Sequence, residues 1–263
     1  MGRSRSTGFW ELVLKMRMPT LGWEVPGRKI LVALAIVFVS GPMLSACGQN
    51  GEATKPGGQI LQDTAAALRS AHSYRLQGVV PVSGGSGRFT FEVEGPNVGS
   101  GVFTLGSTSF QLEEVRGTDY VKSKTLWESA DGGALQGLLA NKWVSIPANN
   151  PLAQALTSGL AALTSAKQEA ATILKGEAGA RRGRVRSFAG QGVVEVLEGT
   201  GGSVLVATSG TPFPLRVQGQ GPDYVDLSDF NQAFGISAPK GAISLTDVIA
   251  GLGAGFGPGG SRN

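Results

Sequence analysis

One cysteine and one histidine in 263 residues set the first limits. A lone Cys47 closes no intramolecular disulfide and supports no cysteine-based zinc or iron–sulfur site. A lone His72 excludes the two- and three-histidine metal centres. No metal, no cofactor and no catalytic residue is therefore expected. A Ser–His–Asp arrangement would have to use His72, yet no Gly-x-Ser-x-Gly accompanies it. His72 reads as a helix-end or surface residue. Aromatics make up only 7% of the chain, and no like-charged block dominates it. The net charge of +4 is unevenly placed. Six of the 23 basic residues and two of the 19 acidic ones precede Cys47, which leaves 17 of each beyond it. A chain balanced in this way carries no basic surplus for nucleic acid.

The basic surplus flanks an apolar run. Arg28 and Lys29 precede Ile30–Val39, Ser40-Gly41-Pro42 ends it, and Leu44-Ser45-Ala46-Cys47 follows. The run is short of the roughly 20 residues a membrane span needs. A cationic flank, a short apolar stretch and small residues before a cut site make a secretory signal peptide over residues 1–46. Met16 and Met18 are alternative starts. The opposing reading is a buried cysteine after an ordinary hydrophobic segment. Residues 47–58, rich in Gly and polar side chains, read as a flexible tether.

Residues 59–250 read as one domain, large enough for a single core. Gln59–Ala71 has helical periodicity, with Ile60, Leu61, Ala65 and Leu68 on one side. Short alternating runs follow, of which Arg88–Glu94 is the clearest: Phe89, Phe91 and Val93 share a face. Further strands are expected at 74–80, 101–105, 109–113 and 118–122. Asn150-Pro151 then opens a helical stretch carrying Leu152, Leu156, Leu160 and Leu163. Strands return at 184–188, 193–197, 204–207, 214–217 and 224–227. Residues 251–263 form a Gly-rich tail expected to be disordered. The order of elements gives an α+β fold: a curved antiparallel sheet with helices on one face.

Leu44-Ser-Ala-Cys47 resembles the lipobox of bacterial lipoproteins. The order Ser73-Tyr74, Tyr120-Val-Lys122, Lys142-Trp-Val-Ser-Ile-Pro147, Gly210–Arg216 and Val225–Phe230 is similar to actinobacterial lipoproteins of the LppX/LprG type, which share the LolA-like fold. The resemblance implies an incomplete barrel wrapped around helices on its concave face, with an apolar cavity between. It implies that Cys47 is acylated after cleavage by lipoprotein-processing enzymes. The protein would then be exported and lipid-anchored to the outer face of the cell membrane. It further implies a carrier, not an enzyme, holding acyl chains of cell-envelope lipids or glycolipids. Phe89, Phe91, Val93, Phe103 and Leu105 would form one cavity wall, and Leu152, Leu156, Leu160 and Leu163 the other. The alternative within the same resemblance is an envelope sensor that binds a regulatory partner protein. Read from the residues alone, these apolar stripes also suit an ordinary packed core.

Three other patterns carry less. Arg181-Arg-Gly-Arg-Val-Arg186 suits anionic head groups or a solvated strand. Glu113 and Glu114 are neighbours, so a strand sends them to opposite faces and they make a poor acid/base pair. Gly251–Gly257 lacks the Lys-Ser/Thr of a phosphate loop. The lipobox yields the first prediction. Mass spectrometry of the exported protein should find Cys47 as the N-terminal residue carrying acyl chains, and a peptide joining Ala46 to unmodified Cys47 would refute it.

Overall fold

The computed structural model describes residues 48–82, 85–130, 134–147, 149–150, 165–199 and 201–255. Cys47, Leu152, Leu156, Leu160 and Leu163 lie outside the described residues. Helix α1 (Gly57–Ser70) comes first, then strands β1 (Ser73–Val82), β2 (Gly85–Glu94), β3 (Val98–Leu105), β4 (Thr108–Val115) and β5 (Thr118–Lys122). Short helices α2 (Thr125–Ala130) and α3 (Ala134–Leu139) lead to β6 (Val144–Pro147). After α4 (Ala166–Lys175) come β7 (Arg181–Phe188), β8 (Gln191–Leu197), β9 (Ser203–Ala207), β10 (Pro214–Gln218) and β11 (Tyr224–Ser228). The chain then forms β12 (Ile243–Ser244) and α5 (Leu245–Gly255).

The twelve strands among the described residues join one sheet in the order β12-β6-β5-β4-β3-β2-β1-β11-β10-β9-β8-β7. Every pairing is antiparallel except the two-residue contact of β12 with β6. The two ends, β12 and β7, do not pair with each other, so the barrel is incomplete. Laid flat, eleven strand spacings of about 4.8 Å would span roughly 50 Å. Yet Val194, Val196 and Val204 near one end and Val144, Ile146 and Leu245 near the other belong to one contiguous core. A sheet this wide has to curl to bring them there. The expected α+β class, a curved open antiparallel sheet with helices on its concave face, is the one observed.

The concave face is filled by the helix stripe that the periodicity predicts. Ile60, Leu61, Thr64, Ala65 and Leu68 of α1 are fully buried, and α4 adds Ala170 and Ile173. Helix α1 starts on Gly57-Gly58 for a packing reason. A Cβ on Gly57 would stand 2.8 Å from the backbone of Arg181, so only glycine lets the helix start touch β7. In β2, Phe89, Phe91 and Val93 all point inward, as the alternation requires. Phe103 sits among Phe89, Phe91 and Phe110, with ring centroids 5.2 to 6.0 Å apart. Strands β8 to β10 are buried on the outer face as well, where Val193, Leu205, Ala207 and Leu215 pack with Phe188 and Phe230. That double burial explains the unbroken apolar run Val204–Ala207.

Two regions differ from the sequence expectation. Residues 48–55, read as tether, are bonded to the domain. Asn50 N–H donates to the Thr208 carbonyl (2.9 Å), and its side-chain amide donates to the Ala207 and Gly210 carbonyls. Lys55 then bridges Glu52 and Asp63, 2.5 and 2.7 Å away. These hydrogen bonds, first with Asp63 and then with Glu52, raise the Lys55 pKa. Polar residues that read as linker thus find backbone and charge partners. At the other end, α5 extends through Gly255, so residues 251–255 of the expected tail are helical. The apolar Leu245 anchors that helix in the core, which offsets the cost of its glycines.

Glycines in β3 set how closely β2 approaches. The Phe91 ring lies over Gly99 and Gly101, where a Cβ at either position would collide with it. Gly101→Ala should therefore lower stability by about 1–3 kcal/mol through overpacking. The check is denaturant unfolding, where Ser100→Ala on the opposite face should change little.

Candidate functional site

A cavity of about 540 Å³ lies at one end of the concave face. Its walls are the end of α1 (Arg69, then Ala71 and His72), the start of β1 (Tyr74) and the end of β2 (Phe91, Val93). The β2–β3 turn, Val98, Gly99, Leu112 and Glu114 continue the lining, and Ser165–Lys167 at the start of α4 complete it. The interior side is apolar, through Tyr74, Phe91, Val93 and Leu112, all of them buried. The rim is polar, through Arg69, His72, Asn97 and Lys167. This combination suits an amphiphile: an apolar portion buried deep and a polar portion held at the opening.

The residues singled out from the sequence divide in the structure. Phe91 and Val93 line this cavity. Phe89 and Phe103 share the same face but stack on each other, and Leu105 packs against the same core, so these three fill space rather than border the cavity. His72 is exposed at the helix end and lies 3.3 Å, through Nδ1, from Asn231 Oδ1. Trp127 is buried in the core, whereas Lys122 stands 5.9 Å above the half-buried Trp143 ring. Glu113 and Glu114 do point to opposite faces, and Glu114 is the one at the cavity.

Strand β7 is a sheet edge, and its four arginines are exposed. A register shift between Arg182 and Val185 breaks the simple alternation of this run. Arg182 donates to the Ala53 carbonyl (3.0 Å) and Arg186 to Glu195 (3.4 Å). A bulged, charged edge strand resists pairing with other chains.

A pair of facing carboxylates, one of them buried, was not visible in the one-dimensional pattern. Glu114 stands directly opposite Asp119 across β4 and β5. Asp119 shares the inward face of β5 with Val121 and is only 3% exposed. Burial, and secondarily the Glu114 charge, pushes the Asp119 carboxyl up to about 7. Burial also raises Glu114 and, on the outer face, Glu113. The available sequence signal was an Asp two residues from Val121, on the apolar face of a short strand.

No family model and no curated protein matches the chain. Solved structures do. The chain is similar to LprF from Mycobacterium bovis. That match is 16% identical, covers 74% of this chain and 100% of LprF, and has a TM-score of 0.48. The lipoprotein LppX of Mycobacterium tuberculosis is 13% identical, with 69% and 98% covered and a TM-score of 0.43. A conserved protein from Thermus thermophilus is 11% identical, with 71% and 96% covered and a TM-score of 0.34. At these values the likeness is one of architecture alone. No helix among the described residues is long and apolar enough to cross a membrane.

The carboxylate pair makes stability depend on pH. The unfolded chain ionises Asp119 near 3.8, whereas the native state keeps its proton to about 7. Between those values the native state binds more protons, so stability falls as pH rises and stays low above 7. Asp119→Asn removes that loss. Its gain over the parent should be on the order of a few kcal/mol at pH 8 and close to nothing at pH 4. Thermal melts at both pH values check this, and equal gains at the two would refute it.

Proposed function

We propose that the protein is an exported lipoprotein, held to the outer face of the membrane by acylated Cys47. It binds an acyl chain of an envelope lipid in the cavity between α1, α4 and β1 to β4. The observation that carries this reading is the cavity itself: a hollow of about 540 Å³ with apolar side chains on its inner side and a polar, partly cationic opening. That volume lies within the range of roughly 300–1,000 Å³ typical of small-ligand sites. Each methylene buried there contributes about 0.8 kcal/mol, so a single chain supplies useful affinity without head-group chemistry. Phe91, Val93 and Leu112 form the wall against which the chain lies, and Arg69 and Lys167 stand where its polar end emerges. The role is carriage or presentation of the lipid, and no catalytic residue is assigned.

Native mass spectrometry of protein purified from a lipid-containing host should show a bound lipid. Ala71→Trp and Ala166→Trp, which place an indole in the cavity lining, should reduce fatty-acid uptake at least tenfold while the far-ultraviolet spectrum stays unchanged; tenfold is about 1.4 kcal/mol, less than the burial of two methylenes. Unchanged uptake in both variants would refute the site. A lipid-free protein that captures a specific envelope protein would instead favour the sensor reading.

A further inference from the structure

The register of the sheet sorts its turns onto two rims. Ser73 pairs with Glu94, Val98 with Val115, Arg75 with Ser228, Pro214 with Val206 and Phe188 with Gln191. One rim therefore carries the start of β1 with the β2–β3, β4–β5, β7–β8 and β9–β10 connections. The cavity opens on this rim, at His72 and the β2–β3 turn Gly95–Asn97.

The chain also enters the domain on this rim. The Gly210 N–H donates to the Gly48 carbonyl (3.3 Å), Gln49 bridges Ser209, and Asn50 is bonded to Thr208. Cys47 directly precedes this pinned backbone in the sequence. In the sheet order, β9 lies three strands from β1, a separation of about 15 Å. Acyl chains on Cys47 would thus enter the bilayer beside the cavity mouth, with no slack to let the domain stand away.

The charge at the mouth suits a lipid surface. Arg69, Arg116 and Lys167 are exposed and form no ion pair among the described residues. Arg116 belongs to the mouth because its N–H donates to the Asn97 carbonyl (3.1 Å). Of the neighbouring carboxylates, Glu94 accepts from the Ile236 N–H and Asp229 pairs with Arg75, while burial favours the neutral form of Glu114 in the cavity wall. Unpaired cations beside a membrane anchor attract anionic head groups.

We infer that this rim is the face the protein turns to an anionic bilayer, with the cavity opening directly onto the lipids beside its own anchor. A ligand chain then passes between bilayer and cavity without crossing water. The inference rests on the proposed acylation of Cys47 and deepens the proposed site.

The test uses the full chain, expressed in a lipoprotein-exporting bacterial host and reconstituted into phosphatidylglycerol-containing vesicles with brominated acyl chains. Single tryptophans are added on the near rim (Pro96→Trp, Gln191→Trp) or the far rim (Ser107→Trp, Pro222→Trp). Acyl-chain bromine quenches indole only at near-contact range, so a near-rim pair dipping into the bilayer should lose more than half of its added emission and the far-rim pair almost none. Equal quenching of both pairs, or stronger loss at Ser107 and Pro222, overturns the orientation. Mass spectrometry of the same preparation reads the anchor separately. Unacylated Cys47 would overturn the reading beneath the inference, and the quenching pattern distinguishes that result from a wrong orientation.

Discussion

The buried stripe of α1 against the concave sheet is the contact on which the rest depends. A twelve-stranded sheet with one apolar face needs that face covered, and Ile60, Leu61, Ala65 and Leu68 cover its middle. Because the helices are short relative to the width of the sheet, burial requires the sheet to curl around them. Curling brings β8 and β9 to the same core as β6 and α5. The cavity lies where this filling ends, at the last turn of α1 and the first of α4. Packing and cavity are thus two parts of one interface.

The segment after Cys47 links that core to the membrane question. Its glycines and polar residues look like linker because each is hydrophilic taken singly. In the fold, Asn50 satisfies three carbonyls around the β9–β10 loop, and Lys55 ties the 3₁₀ turn at Glu52–Thr54 to α1. With Cys47 acylated as proposed, a domain pinned this close to it would turn a defined face toward the bilayer. The exposed arginines of β7, held partly by Ala53 and Glu195, also guard the open edge of the sheet.

Much of the architecture was legible because periodicity reports burial. The α1 stripe, the inward face of β2 and the order of most strands could be read from residue spacing. The glycines of β3 could not, since their reason is the Phe91 ring on the neighbouring strand. Nor could the division of the aromatic wall. Phe91 and Val93 border the cavity while Phe89 and Phe103 stack into core, although all four have the same alternation. Spacing shows which side of a strand is buried, but not whether another side chain or empty space lies opposite.

The sequence by itself determined the apolar faces, the absence of disulfide and histidine-metal chemistry, and a cysteine in lipobox context. Those are properties of single residues and local spacing. Tertiary structure alone decided that Glu114 meets Asp119, that the supposed tether is docked, and that the cavity mouth shares a rim with the chain's entry. Each of these depends on strand register, which brings together residues far apart in the chain and is set by how the whole sheet curls around α1.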